Sequence, residues 1–355
     1  MRALVQNGYG GPEVLAVTDV PDPGPPGPGR VAIAVRAAGV HAGDVWIMRG
    51  EPRLIRLAFG VKRPRQPIVG RDVVGVVTAV GDGVTTLAVG DRVFSESDQA
   101  GFAETAVVDA GFVRRAPANL DDVHAAVIPV SGTTALQALR LARVGPGDRV
   151  LVIGASGGVG TYAVQLAVAL GATVTGVASG AKADHVRAAG ATRVIDHRTE
   201  DVTADGATYD VVIDLAAAQS LGALTRILAP RGTLVLSAGT GSRTFGPLPR
   251  IAAAVLRSSF TRRRLVSLAA RRNGDDLDAL RTYAEAGQLR PVVDEVFPFD
   301  RAPEALARLA SGTVRGKVAI RVRGGDGETD AAARAASDAN AGAAAARAPS
   351  RPDVE

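Results

Sequence analysis

A chain of 355 residues exceeds the size that one hydrophobic core usually serves, so two domains are expected. Apolar residues make up 46% of it, enough for both cores, and the lack of any cysteine removes disulfides, thiol nucleophiles and every cysteine-based zinc site together. The net charge of +5 is uneven: residues 324–355 hold six acids against three arginines, leaving +8 on the body. That balance suits phosphate-bearing small molecules, and an aromatic content of 4% offers few platforms for stacking nucleic-acid bases. The first residues lack the apolar stretch of a secretory signal, and no run approaches about 18 apolar residues. A soluble, cytoplasmic protein is expected.

In chain order, residues 21–29 are rich in Pro and Gly and can form neither helix nor central strand. Residues 30–39 alternate Val31, Ile33 and Val35 on one face, and 73–80 is an unbroken apolar run ahead of Gly81-Asp82-Gly83. Residues 1–124 thus read as a mostly β domain, a partly closed barrel. From Val150 strands and helices alternate, with strands near 150–153, 172–178, 193–196, 209–215 and 233–239, which implies a parallel sheet covered on both faces. This α/β unit is assigned to 125–255. Beyond Gly239 the pattern turns helical and basic over 251–257 and 262–272. An amphipathic helix at 277–286, a strand at 291–299, a helix at 302–310 and a strand at 317–322 complete it. Residues 256–323 are expected to return to the first domain. Residues 324–355 have almost no large apolar side chains to offset ordering entropy, so disorder is expected there.

The most informative stretch is 150–160, an apolar strand running into a glycine-rich turn. Glycines at 154, 157 and 160 let backbone N–H groups approach a pyrophosphate, and a helix starting near Gly158 turns its positive end to the same anion. Val159, Ala163, Leu166 and Leu170 recur on one helical face, Gly171 stops the helix, and 172–178 supplies the second strand of a βαβ unit. Gly154, Ser156, Gly157, Gly158, Val159 and Gly160 are therefore candidate dinucleotide-binding residues, with Gly239 at the end of a later strand.

The order of β domain, dinucleotide fold and short return is shared with one large family. The matching stretches are Gly8-Tyr9-Gly10-Gly11-Pro12-Glu13-Val14-Leu15, Ala38-Gly39-Val40-His41-Ala42-Gly43-Asp44, Pro67-Ile68-Val69-Gly70-Arg71-Asp72-Val73-Val74-Gly75, Val89-Gly90-Asp91-Arg92-Val93, Gly101-Phe102-Ala103-Glu104 and Gly316-Lys317-Val318. From Arg2 to about Val322 the chain resembles a medium-chain dehydrogenase/reductase of the zinc-independent, quinone-oxidoreductase-like (zeta-crystallin-like) branch. The resemblance implies a GroES-like N-terminal β-barrel, a Rossmann doubly wound parallel sheet, a cleft between them and a homodimer.

Where zinc-dependent relatives place their catalytic ligands, this chain has His41, Arg71 and, by alignment, Val130. A cation with no offsetting thiolate or carboxylate makes a poor Zn²⁺ site, so no zinc is expected. The reaction implied is hydride transfer from a nicotinamide to a small hydrophobic acceptor. That acceptor is a quinone or the C=C bond of an α,β-unsaturated carbonyl compound, with polar side chains stabilising negative charge on the carbonyl oxygen. His41 is the candidate donor or proton shuttle, its alternative being a structural hydrogen-bonded histidine. Asp44, which matches the Asp of the same motif, is expected to orient the loop or the histidine rather than react. Thr134, in Gly132-Thr133-Thr134-Ala135, is implied to lie near the nicotinamide or else to satisfy a helix carbonyl. Trp46 and Met48 are read as substrate-pocket walls or as core.

An acid normally ends the second strand of NAD enzymes to bind the ribose 2′-OH. Here Ser179 stands in that position, Lys182 follows, and His197 takes the place of a tyrosine that holds the 2′-phosphate in relatives, which favours NADPH over NADH. His185 and His124 read as solvated or helix-end residues. Two segments, 53–65 and 250–272, interleave arginine with large apolar side chains. Packing against the body with snorkelling arginines is preferred for them over a peripheral membrane contact. The rivals to a reductase are an alcohol dehydrogenase of the same superfamily and a non-catalytic nucleotide- or RNA-binding protein.

Overall fold

The computed structural model describes residues 1–204, 206–237 and 244–323. Gly239 and the tail expected to be disordered lie outside the described residues. The chain opens with β1 (Arg2–Gln6) and β2 (Leu15–Asp19), an antiparallel pair. The long strand β3 (Arg30–Val40) follows, with Val31, Ile33, Val35, Ala38 and Val40 buried in the barrel core. Helix α1 (Ala42–Arg49), the one-turn α2 (Arg56–Phe59) and strands β4 (Asp72–Val80), β5 (Arg92–Glu96), β6 (Thr105–Asp109) and β7 (Val113–Arg115) complete this part.

Helices α3 (Asp122–Ala126) and α4 (Pro129–Ala142) lead into the second sheet. Pro129 begins α4 at a position where its missing N–H costs nothing. Strands β8 (Arg149–Ile153), β9 (Thr173–Ala178), β10 (Arg193–Asp196), β11 (Tyr209–Asp214) and β12 (Leu228–Leu236) alternate with helices α5 (Gly158–Ala169), α6 (Ala183–Ala188) and α7 (Leu221–Arg226). Helix α8 (Leu248–Ser258) precedes β13 (Arg264–Ser267). The six strands lie in the order β10-β9-β8-β11-β12-β13, all parallel. Both faces are covered: Val150 and Val152 pack into the core beneath α4 and α5, whereas Leu151 and Ile153 pack into a separate core on the other face.

One expectation is corrected. Residues 262–272 do not form a helix, because Arg264–Ser267 pairs in parallel register with β12 and buries Leu265. A dense run of arginines hid a four-residue strand whose alternation is too short to read. The chain accordingly leaves the parallel sheet after β13. It continues through α9 (Gly274–Glu285), β14 (Val293–Pro298), α10 (Ala302–Ala310) and β15 (Lys317–Arg321).

Those last strands join the barrel sheet, ordered β14-β15-β3-β4-β5-β7 with β6 also on β3. Its register positions the site. Val318 on β15 faces Val40 on β3, and Asp72 on β4 faces Gly39, so Lys317, His41 and Asp72 gather at one end of the sheet. There Gly316 forms a bridge with Gly157, and its N–H donates to the Ser156 carbonyl at 3.0 Å, tying β15 to the glycine turn. Among the described residues no helix is long and apolar enough to cross a membrane.

Candidate active site

The glycine turn runs from the end of β8 into α5. Gly154 has φ +87°, a left-handed conformation that side chains resist. A Cβ on Gly160 would lie 2.1 Å from the Gly154 carbonyl oxygen, so only glycine lets α5 start so close to the turn. Gly157 caps α5 without a side-chain hydrogen bond, and no acid occupies the first turn. The first N–H groups of α5 therefore open toward a cleft of about 390 Å³, as a pyrophosphate requires. Gly154, Gly157, Gly158, Val159 and Gly160 line this cleft, facing His41, Trp46, Arg71, Thr134 and Lys317.

His41 caps α1 and is 6% exposed. Its backbone N–H donates to Asp44 Oδ2 at 2.9 Å, while its Nε2 lies 3.4 Å from Asp44 Oδ1 and has no hydrogen-bond partner. Burial, with Lys317 and Arg71 nearby, pushes the imidazole well below its usual range, so it is neutral at pH 7. Burial raises the Asp44 carboxyl to about 7 despite its bond from the His41 backbone. Behind them lies a second buried pair. Lys317 Nζ donates to Ser131 Oγ at 2.9 Å and stands 3.7 Å from Asp72 Oδ2; Asp72 Oδ1 accepts from the Val130 backbone N–H at 2.8 Å. Burial pushes Asp72 up to about 8 and Lys317 down, moving both toward their neutral forms. Arg71 reaches Glu96 at 2.6 Å across the cleft wall.

A second pocket of about 610 Å³ continues from Gly154 along the ends of β8 and β9. It is lined by Ser156, Ser179, Lys182, His197, Arg198 and Arg315. Among the described residues no acid lines it. Lys182 Nζ donates to the Val314 carbonyl at 2.7 Å, which ties the β9 side of the pocket to the loop before β15. Asp196 accepts the Arg198 N–H at 3.0 Å, and its other carboxylate oxygen lies beside Gly180.

Most residues singled out in the sequence thus meet in two adjoining pockets. Thr134 lines the cleft and also donates to the Val130 carbonyl at 2.7 Å, which satisfies a helix carbonyl. Met48 is corrected: two residues past Trp46 on α1 it points to the opposite side, is fully buried in the barrel core and does not line the cleft. His185 is half-buried rather than solvated, with Nε2 3.1 Å from Thr161 Oγ1. Sequence reasoning gave no role to Lys317, Asp72, Ser131, Arg198 or Arg315. A lysine opening an otherwise apolar strand at 317–320 was the available signal for the first.

These residues do not fit zinc. Among the described residues His41 is the sole imidazole lining the cleft, basic side chains stand at Arg71 and Lys317, and no group of three or more His, Asp or Glu could hold a metal ion.

Family models match over 27–118, described as alcohol dehydrogenase GroES-like domain, and over 189–320, described as zinc-binding dehydrogenase. The chain is 31% identical over 334 residues to the chloroplast envelope quinone oxidoreductase homolog of Arabidopsis thaliana, covering 90% of this chain and 98% of that protein. The solved quinone oxidoreductase from Coxiella burnetii superposes with a TM-score of 0.80 at 28% identity, covering 91% and 99%. The chain is also 36% identical over 312 residues to the pikromycin polyketide synthase component PikAII of Streptomyces venezuelae, and it spans only 8% of that protein's length. The chain belongs to the medium-chain dehydrogenase/reductase superfamily, in its quinone oxidoreductase branch. It is an oxidoreductase of an NAD(P)-binding family.

Proposed function

We propose that this protein reduces a quinone or the C=C bond of an α,β-unsaturated carbonyl compound with NADPH, without a metal. The observation that carries the reading is the pair of adjoining pockets. One opens on the α5 N-terminus beside His41 and Lys317, and the other is lined by Ser179 and four basic side chains with, among the described residues, no acid. The quinone oxidoreductase names of two relatives support the acceptor class.

NADPH supplies a hydride when bound. The chain's part is to hold and polarise. The α5 N–H groups suit the pyrophosphate. Ser179, His197, Arg198 and Arg315, with Lys182 at the pocket's edge, suit a 2′-phosphate that the carboxylate of an NAD site would repel. The neutral His41 presents its ring to the cleft, where it can donate to the acceptor oxygen as negative charge grows there. Asp44, at about 7, keeps a proton within 3.4 Å of His41 Nε2, and this pair is the proposed source of the proton that completes reduction. Lys317 adds an N–H donor to the same wall. Trp46 and Thr134 shape the acceptor's space.

The test is NADPH oxidation, with NADH in parallel, across quinones, enones and aldehydes. Turnover with quinones or enones and a preference for NADPH are expected. Lys182→Glu with Arg315→Glu should reverse the preference. An unchanged NADPH/NADH ratio would show the phosphate pocket to be misassigned, and no consumption with any acceptor would end the reading.

A further inference from the structure

Two stretches of the chain contain no acidic residue. Residues 52–71 hold six Lys or Arg, and 215–274 hold ten arginines. The fold brings them together beside the cleft. The Leu54 N–H donates to the Thr244 carbonyl at 3.2 Å, and a Cβ on Gly246 would strike the Pro52 ring at 2.6 Å.

Five large apolar side chains among these basic residues face solvent instead of packing against the body. Leu57 is 64% exposed, Val61 63%, Val255 60%, Leu256 63% and Phe260 84%. Within α8 only Ala254 is buried. Arginines that turn inward are matched by acids, Arg71 with Glu96, Arg250 with Asp214 and Arg272 with Asp98. Arg53, Lys62, Arg63, Arg65, Arg257 and Arg262 are exposed. The packing alternative preferred from sequence therefore holds for Ala254 and Leu265 but not for these five side chains.

We infer that this joined face docks on an anionic phospholipid bilayer. Charge complementarity selects the partner: the two stretches that build this face carry sixteen Lys or Arg and no acid, an excess that matches the extended field of negative charge that phospholipid headgroups supply. A second copy related by a two-fold axis would bring this basic surface against itself. RNA would call for stacking aromatics, but the exposed side chains among the arginines are mostly aliphatic, suited to the acyl boundary that an interfacial helix enters. Leu268 and Ala270, just beyond β13, line the cleft, so docking sets its mouth close to the lipid. The inference does not depend on which acceptor the enzyme reduces.

The experiment is co-sedimentation of the full chain with vesicles of phosphatidylcholine mixed with phosphatidylglycerol, and with phosphatidylcholine alone. Binding to the anionic vesicles only, weakened by high salt, is expected. Each basic residue near the surface contributes about fivefold in partitioning, so Arg257→Gln with Arg262→Gln should weaken binding about 25-fold. Leu256→Ser with Phe260→Ser should also release the protein, while both double variants retain wild-type turnover with a water-soluble acceptor. No binding, equal binding to neutral vesicles, or binding indifferent to both double variants overturns the inference. So does RNA binding in place of vesicle binding, or a solution dimer that Leu256→Ser with Phe260→Ser converts to monomer.

Discussion

Lys317→Met removes the cation that faces Asp72. Asp72 is fully buried, keeps its bond from the Val130 N–H and, among the described residues, has no other cation within ion-pair distance. Removing one member of a buried pair typically costs about 3–5 kcal/mol, because the other charge is left without compensation. Here the carboxyl already sits at about 8, so at pH 7 it carries its proton with or without Lys317, and no bare charge is left. That relief lowers the expected cost to about 2 kcal/mol at pH 7. Above pH 8 the wild-type carboxyl is ionised, but the variant must still hold its proton. The deficit therefore grows by about 1.4 kcal/mol per pH unit. Asp72→Asn with Lys317→Met replaces both members, and the amide oxygen introduced on β4 can still accept the Val130 N–H, so most of the loss should return. Urea denaturation of wild type, single and double variants at pH 7 and pH 9 measures all three terms. A single variant as stable as wild type at both pH values, or a double variant no better than the single, would refute the ion-pair reasoning.

Asp44→Asn should flatten the pH dependence of stability. The folded carboxyl sits at about 7 against an ordinary 3.8, so the folded state binds an extra proton between about pH 4 and 7 and loses stability as pH rises through that window. Relative to wild type the variant should gain up to about 1.4 kcal/mol per pH unit there, and parallel urea curves at pH 5 and pH 7 would contradict the assignment. Gly160→Ala should lower Tm and weaken NADPH binding more than tenfold in a fluorescence titration, because its Cβ would press on the Gly154 carbonyl at 2.1 Å. Gly157→Ala meets the same oxygen at 3.4 Å, an ordinary contact, and should leave Tm unchanged; equal losses in the two variants would dissociate the effect from that contact.

The legible parts of the site were those in which one short segment carries the whole argument. The turn at 154–160 declares itself because strand, glycines and helix are contiguous, and Ser179 stands where the second strand of the same βαβ unit ends. Met48 failed for a local reason, since periodicity says that residues two apart on a helix diverge but not which of them faces a ligand. β13 failed because four residues are too few to establish alternation against a background of arginine.

Lys317 and Asp72 were illegible for a different reason. Each is an ordinary residue within an apolar segment until β15 and β4 both pair with β3, and only that register sets the ammonium 3.7 Å from the carboxylate, with Ser131 and the glycine turn beside them. The pair exists only when the last described strand has closed the barrel sheet, and the same strand carries the Gly316 bridge to Gly157. One register thus forms the buried charges, brings them to the cleft and joins the barrel to the dinucleotide turn. A shift of β15 by a single residue would turn Lys317 to the other face of its strand and undo all three together. This coupling explains why the most polar part of the interior lies where the two sheets meet: burying a lysine and an aspartate there is unfavourable in every register but the one that lets them face each other.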